Sequence, residues 1–392
     1  MGLLGPERER PDFGAAIAWP AGRRAGGAAV SLKHVISVSG GKDSTATLLI
    51  ALERCRREDI IAIFCDTGNE HEQTYEYLAY LEQALDIRIH RLKAEFSAQL
   101  ATKRMFIARD QRTGRVYESA VVFDACGNPV SKRDTRGNIV MRTVTRNGVK
   151  VAEPVQKTKK VGSGRRLRWS NKAKRRALAV LMPTGNPFLD LCLWKGRFPS
   201  STARFCTQEL KRDMAVAFQL DLIEQGFRVL SWQGVRRDES HQRRGAKLSE
   251  RIGPGLWAFR PIVAWTSDEV FRFCSAKGIQ PNPLYKQGMS RVGCMPCINV
   301  KKAELRQIAS RFPAHIERIA EWEHLVGQAS KRGFSTFLSD AHDAADRRQV
   351  FADLNIWARV EWSKTTRGGR QFDLLADLDA PAACASAYGL CE

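Results

Sequence analysis

Val35-Ile-Ser-Val-Ser-Gly-Gly-Lys-Asp-Ser44 decides the fold. An apolar stretch runs into a Ser-Gly-Gly-Lys-Asp-Ser turn, and Thr45-Ala-Thr-Leu-Leu-Ile-Ala-Leu-Glu-Arg54 behind it consists mostly of good helix formers. Strand, glycine turn and helix in this order make an anion site. Two adjacent glycines let the backbone turn tightly and bring its N–H groups close to an oxyanion. The helix starting near Asp43 points the positive end of its dipole at the same place, and Lys42 adds a formal charge. A phosphate is the natural occupant, with Ser39, Gly40, Gly41, Lys42, Asp43 and Ser44 around it. The loop is not the Walker type, Gly-x-x-x-x-Gly-Lys-Ser/Thr, because Ile36 stands where its first glycine belongs and Asp43 follows the lysine.

The flanking sequence repeats the strand–helix alternation. We expect strands at His34–Val38, Ile60–Cys65 and Ile87–Arg91, with helices at Ser44–Arg56 and Glu72–Ala84. Apolar strands without polar alternation, joined by helices, mean a parallel sheet covered on both faces. The expected fold class is α/β, a doubly wound, Rossmann-like parallel sheet whose ligands sit at the carboxyl ends of its strands. Ser39 and Asp66 fall at such ends. Further on, helices are expected at Asn186–Trp194, Thr207–Gln225, Thr266–Lys277, Lys302–Arg311 and Ala314–Leu325, and a strand at Arg228–Trp232.

Charge is unevenly spread. The 392 residues carry a net +21, and Met105–Val180 alone holds 19 Lys and Arg against 5 Asp and Glu. Here the rhythm breaks into short β pieces at Arg115–Phe123 and Ile139–Thr145, followed by a Lys/Arg-rich stretch from Lys157 to Arg176 that includes Trp169. We read 105–180 as a basic β-rich insertion, partly hairpin and partly mobile, suited to a DNA or RNA partner. No internal repeat is evident. The expected organisation is a disordered leader at 1–31, the first part of the α/β domain at 32–104, the insertion, the second part with cysteines and helices at 181–330, and a C-terminal extension at 331–392. No run approaches eighteen apolar residues and the start is not a secretory signal, so a cytoplasmic protein without membrane association is expected. Ten cysteines without an export signal argue against a disulfide framework. Cys55, Cys65 and Cys274 read as core thiols.

Three further constellations carry chemistry. Asp66-Thr-Gly-Asn-Glu70 follows the second strand, and its Asp66 and Gly68 suit ribose, adenine edges or a metal. Trp232-Gln-Gly-Val-Arg-Arg-Asp-Glu-Ser240, with Arg244 beyond, gathers guanidinium groups whose forks match phosphate or sulfate oxygens. Pro281-Asn-Pro-Leu-Tyr-Lys-Gln-Gly-Met-Ser-Arg-Val-Gly-Cys-Met-Pro-Cys297 ends in a metal or redox Cys-x-x-Cys spacing.

The hexapeptide resembles the PP-loop of the adenine-nucleotide α-hydrolase-like (ATP pyrophosphatase) superfamily. In order along the chain, the Asp-Thr-Gly segment, the Gly-x-Arg segment and Asn-Pro-Leu-Tyr-x-Gln-Gly…Gly-Cys-x-x-Cys are similar to the phosphoadenylyl-sulfate (PAPS) reductase family, over roughly Lys33–Arg104 and Pro183–Leu325. The resemblance implies Lys42, Asp43, Arg236 and Arg237 as catalytic. It implies nucleotide contacts from Ser39 to Ser44 and from Asp66, Gly68, Arg236 and Arg244. It also implies a 4Fe-4S cluster, with zinc as the other Cys₄ occupant, on Cys294 and Cys297. The upstream cysteine pair of such reductases is here Phe205-Cys206, so Cys206 supplies one ligand and Cys192, fourteen residues earlier, is the candidate for the other.

Two chemistries remain open. One reduces an adenylyl sulfate (APS or PAPS) to sulfite with a thioredoxin-like reductant; it needs an exposed nucleophilic cysteine, and Cys391 is the terminal candidate in place of the family's Glu-Cys-Gly tail. The other uses ATP, with Mg²⁺ on the leaving pyrophosphate, to adenylate nucleic acid for sulfur insertion from a sulfur donor. A nucleotide-binding module without turnover is the third possibility.

Overall fold

A computed structural model describes residues 31–146, 149–338 and 347–365. The expected leader lies outside the described residues except for Ser31, and so does Cys391. The chain forms two compact units. The first takes residues up to Ala94, Pro199–Glu317 and those from Trp357 on; the second takes Glu95–Phe198 and Arg318–Ile356. The basic stretch at 105–180 falls within the second unit.

In chain order the first unit begins with β1 (Leu32–Ser37), α1 (Lys42–Arg54), β2 (Ile60–Asp66), α2 (Glu72–Leu85) and β3 (Ile89–Lys93). The second unit follows with α3 (Ser97–Ala108), β4 (Arg115–Val121), β5 (Met141–Arg146), β6 (Val149–Pro154), β7 (Thr158–Arg166), α4 (Asn171–Val180) and α5 (Pro187–Lys195). The chain returns to the first unit with α6 (Phe205–Thr207), α7 (Asp213–Glu224), β8 (Arg228–Trp232), β9 (Ser249–Gly253), β10 (Leu256–Phe259), α8 (Ser267–Ala276), α9 (Pro283–Lys286) and α10 (Lys302–Arg311). Three more helices follow: α11 (Pro313–Ala329), α12 (Arg347–Leu354) and α13 (Ile356–Lys364). No helix among the described residues is long and apolar enough to cross a membrane.

The first unit is built on a six-stranded sheet of order β3-β2-β1-β8-β10-β9. All neighbours are parallel except the edge pair β10–β9, a hairpin absent from the expected pattern. Side chains alternate between faces along each strand. Ile36, Ala62, Phe64, Leu230 and Trp232 pack with residues of α1, α2 and α8. Val35, Ile63, Cys65 and Val229 pack on the other face with Ala215 and Leu222 of α7. Burial on both faces is why β2 reads as a nearly continuous apolar run and why Val35 and Ile36 of β1 are apolar side by side. The third strand lies two residues later than expected, after Asp86 ends α2 in the left-handed region (φ 49°). Thr266 caps α8 as expected, in a capping box with Glu269.

The helix expected at Thr207–Gln225 is interrupted. Between α6 and α7, Gln208–Arg212 forms a π-helical turn, the kind of local widening that clusters at functional sites.

In the second unit, Phe188, Phe198, Trp322 and Phe337 form a ring cluster with centroids 5.3–6.4 Å apart. The buried Lys103 ammonium donates to the carbonyls of Leu193 (2.9 Å) and Trp194 (2.7 Å), terminating α5; burial lowers its pKa to about 8.

Within 105–180, Thr158–Arg166 is a strand paired antiparallel with β4, and Asn171–Val180 is a helix capped by Ser170. A tandem repeat is also present. Asp124-Ala-Cys-Gly-Asn128 and Asp134-Thr-Arg-Gly-Asn138 form the same turn ten residues apart. In each, the aspartate Oδ1 accepts the N–H groups two and four residues on, at 2.9 Å. In each the glycine takes a positive φ, 81° and 85°. Asp, Gly, Asn and the valine two residues on (Val130 and Val140) carry the period, and the differing residues between them conceal it.

Candidate functional site

The site lies in the first unit, at the carboxyl ends of β1, β2 and β8. After β1 the chain turns at Gly40, whose φ of 80° favours glycine. A Cβ there would also meet Thr74 Cγ2 at 2.9 Å. Ser44 Oγ accepts the Ser39 N–H (3.0 Å) and donates to Gly41 O (3.0 Å), so the loop is closed by its own serine. Gly41 then caps α1, whose first turn points into the loop.

Two distant segments hold this loop. Asn282 Nδ2 donates to Gly40 O (3.2 Å), and the Tyr285 hydroxyl accepts the Lys42 N–H (3.0 Å). Part of the Asn-Pro-Leu-Tyr motif thus clamps the loop. From the other side, Gly234 after β8 comes so close that a Cβ would lie 2.8 Å from Asp43 C and 2.9 Å from Ser44 N.

Asp43 is fully buried. Its carboxylate accepts from Arg236 Nε (2.6 Å) and pairs with Lys42 Nζ (3.2 Å). Arg236, 4% exposed, also pairs with Asp238. Burial works against its guanidinium, but Asp43, Asp238 and Glu239 outweigh that and raise its pKa. Two of the three guanidinium nitrogens of Arg236 are thus bonded within the protein, tying the β8 loop to the start of α1. Arg237 and Arg244 are exposed, with Arg237 Nε on Ala246 O (2.9 Å).

The opposite wall joins the Asp66 segment to the cysteines. Asp66 Oδ1 accepts from Gly68 N–H (2.9 Å) and the Tyr75 hydroxyl (2.8 Å). The buried Glu70 takes the Thr67 hydroxyl (2.7 Å) and the Cys294 thiol (Sγ–Oε1 3.7 Å), and residues 70 and 294 form a β-bridge. Met295 N–H donates to Asn69 O (2.7 Å), and Asn69 Nδ2 donates to Pro296 O (3.0 Å). One cleft, enclosing about 490 Å³ including space open to solvent, is lined by Ser39 and Ser44 as well as by Cys65, Glu70, Lys211 and Gly293.

Lys211, on the π-turn, was not singled out by the sequence as a site residue; its signal was the spacing of five from Cys206 on one helix. Burial works to lower its pKa, yet Cys294, Glu70 and Cys297 together raise it, so a cation is held at this wall. Burial, aided by Glu70, pushes Cys294 up to about 12, and burial, aided by Cys297, pushes Cys206 up to about 11. Cys206, Cys294 and Cys297 thus act on one another and on Lys211, a thiol-rich donor set whose chemistry fits a thiolate-bound iron–sulfur or zinc centre. Cys192 belongs to the second unit, fully buried on α5.

His71, Glu72 and His315 also bring ligand-type atoms within 4.8 Å of one another. His71 Nδ1 accepts the Gln73 N–H (3.0 Å) as the cap of α2, and its ring stacks on His315 (4.8 Å). That hydrogen bond occupies the Nδ1 lone pair and leaves the proton on Nε2, so capping and stacking account for the group without an ion.

The sequence model of the phosphoadenosine phosphosulfate reductase domain matches residues 33–118 and 190–300. A protein of Escherichia phage 186, named only as an uncharacterized 37.8 kDa protein in the gpa 5′ region, is 41% identical over 376 residues, covering 93% of this chain and 98% of the relative. The adenosine 5′-phosphosulfate reductase of Mycolicibacterium smegmatis is 40% identical over 65 residues, 16% of this chain and 28% of that enzyme. Among solved structures, the PAPS reductase of Candida auris in a phosphate complex aligns with TM-score 0.35 and 14% identity, over 72% of this chain and 85% of that one. With half of its residues matched by the family's domain, this chain belongs to the phosphoadenosine phosphosulfate reductase family.

Proposed function

We propose that the protein is a sulfur-transfer enzyme that holds an adenylyl sulfate in this cleft and reduces it to sulfite. The observation that supports the reading is that one cleft is lined both by Ser39 and Ser44, the two ends of the loop, and by the wall of Glu70, Lys211 and Gly293. Main-chain amides at the start of α1 and the Lys42 ammonium would take the phosphate. The Lys211 ammonium, kept charged, would face the sulfonate. Asp43 and Arg236 act as positioning residues that fix the loop. Such preorganised donors favour the charge that builds on a leaving phosphate.

In this reading a thiolate attacks sulfur and the S–O bond to the phosphate breaks. AMP, or its 3′-phosphorylated form, leaves with the electron pair. A thiol of a thioredoxin-like reductant then attacks the cysteine sulfur of the S-sulfocysteine. Sulfite is released, and the reductant's second thiol resolves the mixed disulfide. Cys391, outside the described residues, is proposed as the nucleophile. Cys206, Cys294 and Cys297 would hold a 4Fe-4S cluster, which would supply a thiolate-bound metal centre beside the anionic end of the nucleotide.

A second reading is favoured by the basic second unit, where 105–180 holds 19 Lys and Arg against 5 acids. There ATP adenylates a nucleic-acid oxygen and pyrophosphate leaves; the outer sulfur of a persulfide loaded by the sulfur donor displaces AMP, and a second thiol attacks the carrier sulfur, breaking the S–S bond and leaving a disulfide. Sulfite from APS or PAPS with reduced thioredoxin supports the first reading. Pyrophosphate from ATP that requires DNA or tRNA supports the second, and neither product refutes both.

A further inference from the structure

We infer that the β-ribbon module of the second unit is a docking surface for duplex DNA. The inference is independent of which reaction the nucleotide cleft performs. The module consists of the two-stranded pairs β4–β7 and β5–β6, linked by the tandem Asp-x-x-Gly-Asn turns. Two-stranded ribbons are marginal in water on their own. Here both faces are largely solvent-exposed, and the apolar residues stand outward: Val116 is 48% exposed, Phe123 60%, Ile139 45%, Met141 53% and Val161 43%.

Charge identifies the partner. Arg115 to Arg168 holds 13 Lys and Arg against 4 acids, and two of those acids, Asp124 and Asp134, are engaged in the turns. In the β4–β7 register Arg115 lies directly opposite Arg166, and Lys159 and Lys160 follow on the same strand. Like charges directly opposite destabilise a ribbon. A polyanion laid along it turns that repulsion into attraction.

Geometry narrows the polyanion. Single strands are gripped by stacking bases on open aromatic faces. Trp169, which the sequence suggested for this role, is 7% exposed and donates its backbone N–H to Asp110 (2.8 Å). The Tyr117 ring lies against Gly164 and under Lys160 Nζ, 5.0 Å from its centroid. Among the described residues of the module, Phe123 is the aromatic ring that stands open, and one ring does not make a run of stacking faces; the rest of the exposed apolar surface is aliphatic side chains among cations. The B-form major groove admits a two-stranded ribbon and offers thymine methyls to such side chains, whereas the A-form major groove is too deep and narrow.

The test is fluorescence anisotropy of the full chain with a labelled duplex of about two helical turns (~21 bp), titrated from ~50 to ~200 mM salt. Wild type should bind with steep salt dependence. The exposed quadruple variant Lys159→Ala, Lys160→Ala, Arg165→Ala, Arg166→Ala should lose at least ~10-fold in affinity, with a log–log salt slope shallower by up to ~3.6, about 0.9 for each phosphate no longer neutralised. Glu118→Lys, which adds charge on the same ribbon, should bind more tightly. Equal affinity in the quadruple variant, salt-independent binding, no tightening in Glu118→Lys, or single-stranded DNA or double-stranded RNA binding as tightly as the duplex would each overturn the inference.

Discussion

Gly234→Ala is the sharpest perturbation of the loop. Gly234 carries no side chain because the backbone at the start of α1 occupies the space. A Cβ there would sit 2.8 Å from Asp43 C, where ordinary contact begins at 3.4 Å, so either the Gly234 segment or the loop must move by about 0.6 Å. The atoms in the way are main chain, which cannot rotate aside. Overpacking of this kind costs about 1–3 kcal/mol of stability. Displacing the amides of a phosphate loop by that distance should also weaken nucleotide affinity at least ~10-fold, since errors near 1 Å in a positioned site cost about 10²-fold. Gly245→Ala is the matched control, because nothing lies within 4 Å of a Cβ there; its stability should stay within about 0.5 kcal/mol of wild type. Urea unfolding and calorimetric titration with APS read both quantities. If Gly234→Ala unfolds and binds like Gly245→Ala, the close approach between the β8 loop and α1 is wrong.

Three other outcomes follow from named interactions. Arg236→Ala leaves the Asp43 carboxylate buried with Lys42 as its remaining charged partner, and should lower stability by about 3 kcal/mol or more; an unchanged urea midpoint would contradict the pairing. Burial lifts Glu323 from 4.5 to about 7, although it accepts the N–H groups of Phe337 and Ile356. The folded form then keeps a proton that the unfolded chain releases, so stability should fall as pH rises from about 4.5 to 7 and level off above. That loss is on the order of 3 kcal/mol at ~1.4 kcal/mol per pH unit, and Glu323→Gln should remove it; a slope that survives the substitution assigns the titration elsewhere. Cys206→Ser, Cys294→Ser and Cys297→Ser should each reduce the iron or zinc content of anaerobically purified protein, and full metal retention in Cys294→Ser would exclude it as a ligand.

The parallel sheet was legible because β2 and the second half of β1 are apolar on both faces and the helices carry local signals such as the Thr266 capping box. The loop's position at the end of β1 was legible for the same reason: Ser-Gly-Gly-Lys-Asp-Ser is contiguous. What the sequence concealed was long-range. Arg236 meets Asp43 across 193 residues, and Tyr285 meets Lys42 across 243, so neither pairing leaves a local pattern. The partner of the Arg236 Nε, a buried carboxylate at the start of α1, could not be read from the sequence around either residue. Lys211 was hidden because its importance comes from Cys294, Cys297 and Glu70, none of them near it in sequence. In the basic stretch, composition concealed the turn hydrogen bonds of Asp124 and Asp134 and the pairing of β4 with β7, whose partners lie some forty residues apart.

The central claim is that the loop from Ser39 to Ser44 cradles the phosphate of an adenine nucleotide while Lys211 faces what is attached to it. Diffraction from crystals soaked in APS tests it most directly. The phosphate is expected on the amides at the start of α1, with the sulfonate toward Lys211 and Cys294. An intact fold with that loop empty, or the nucleotide bound with its sulfonate turned away from Lys211, would contradict it.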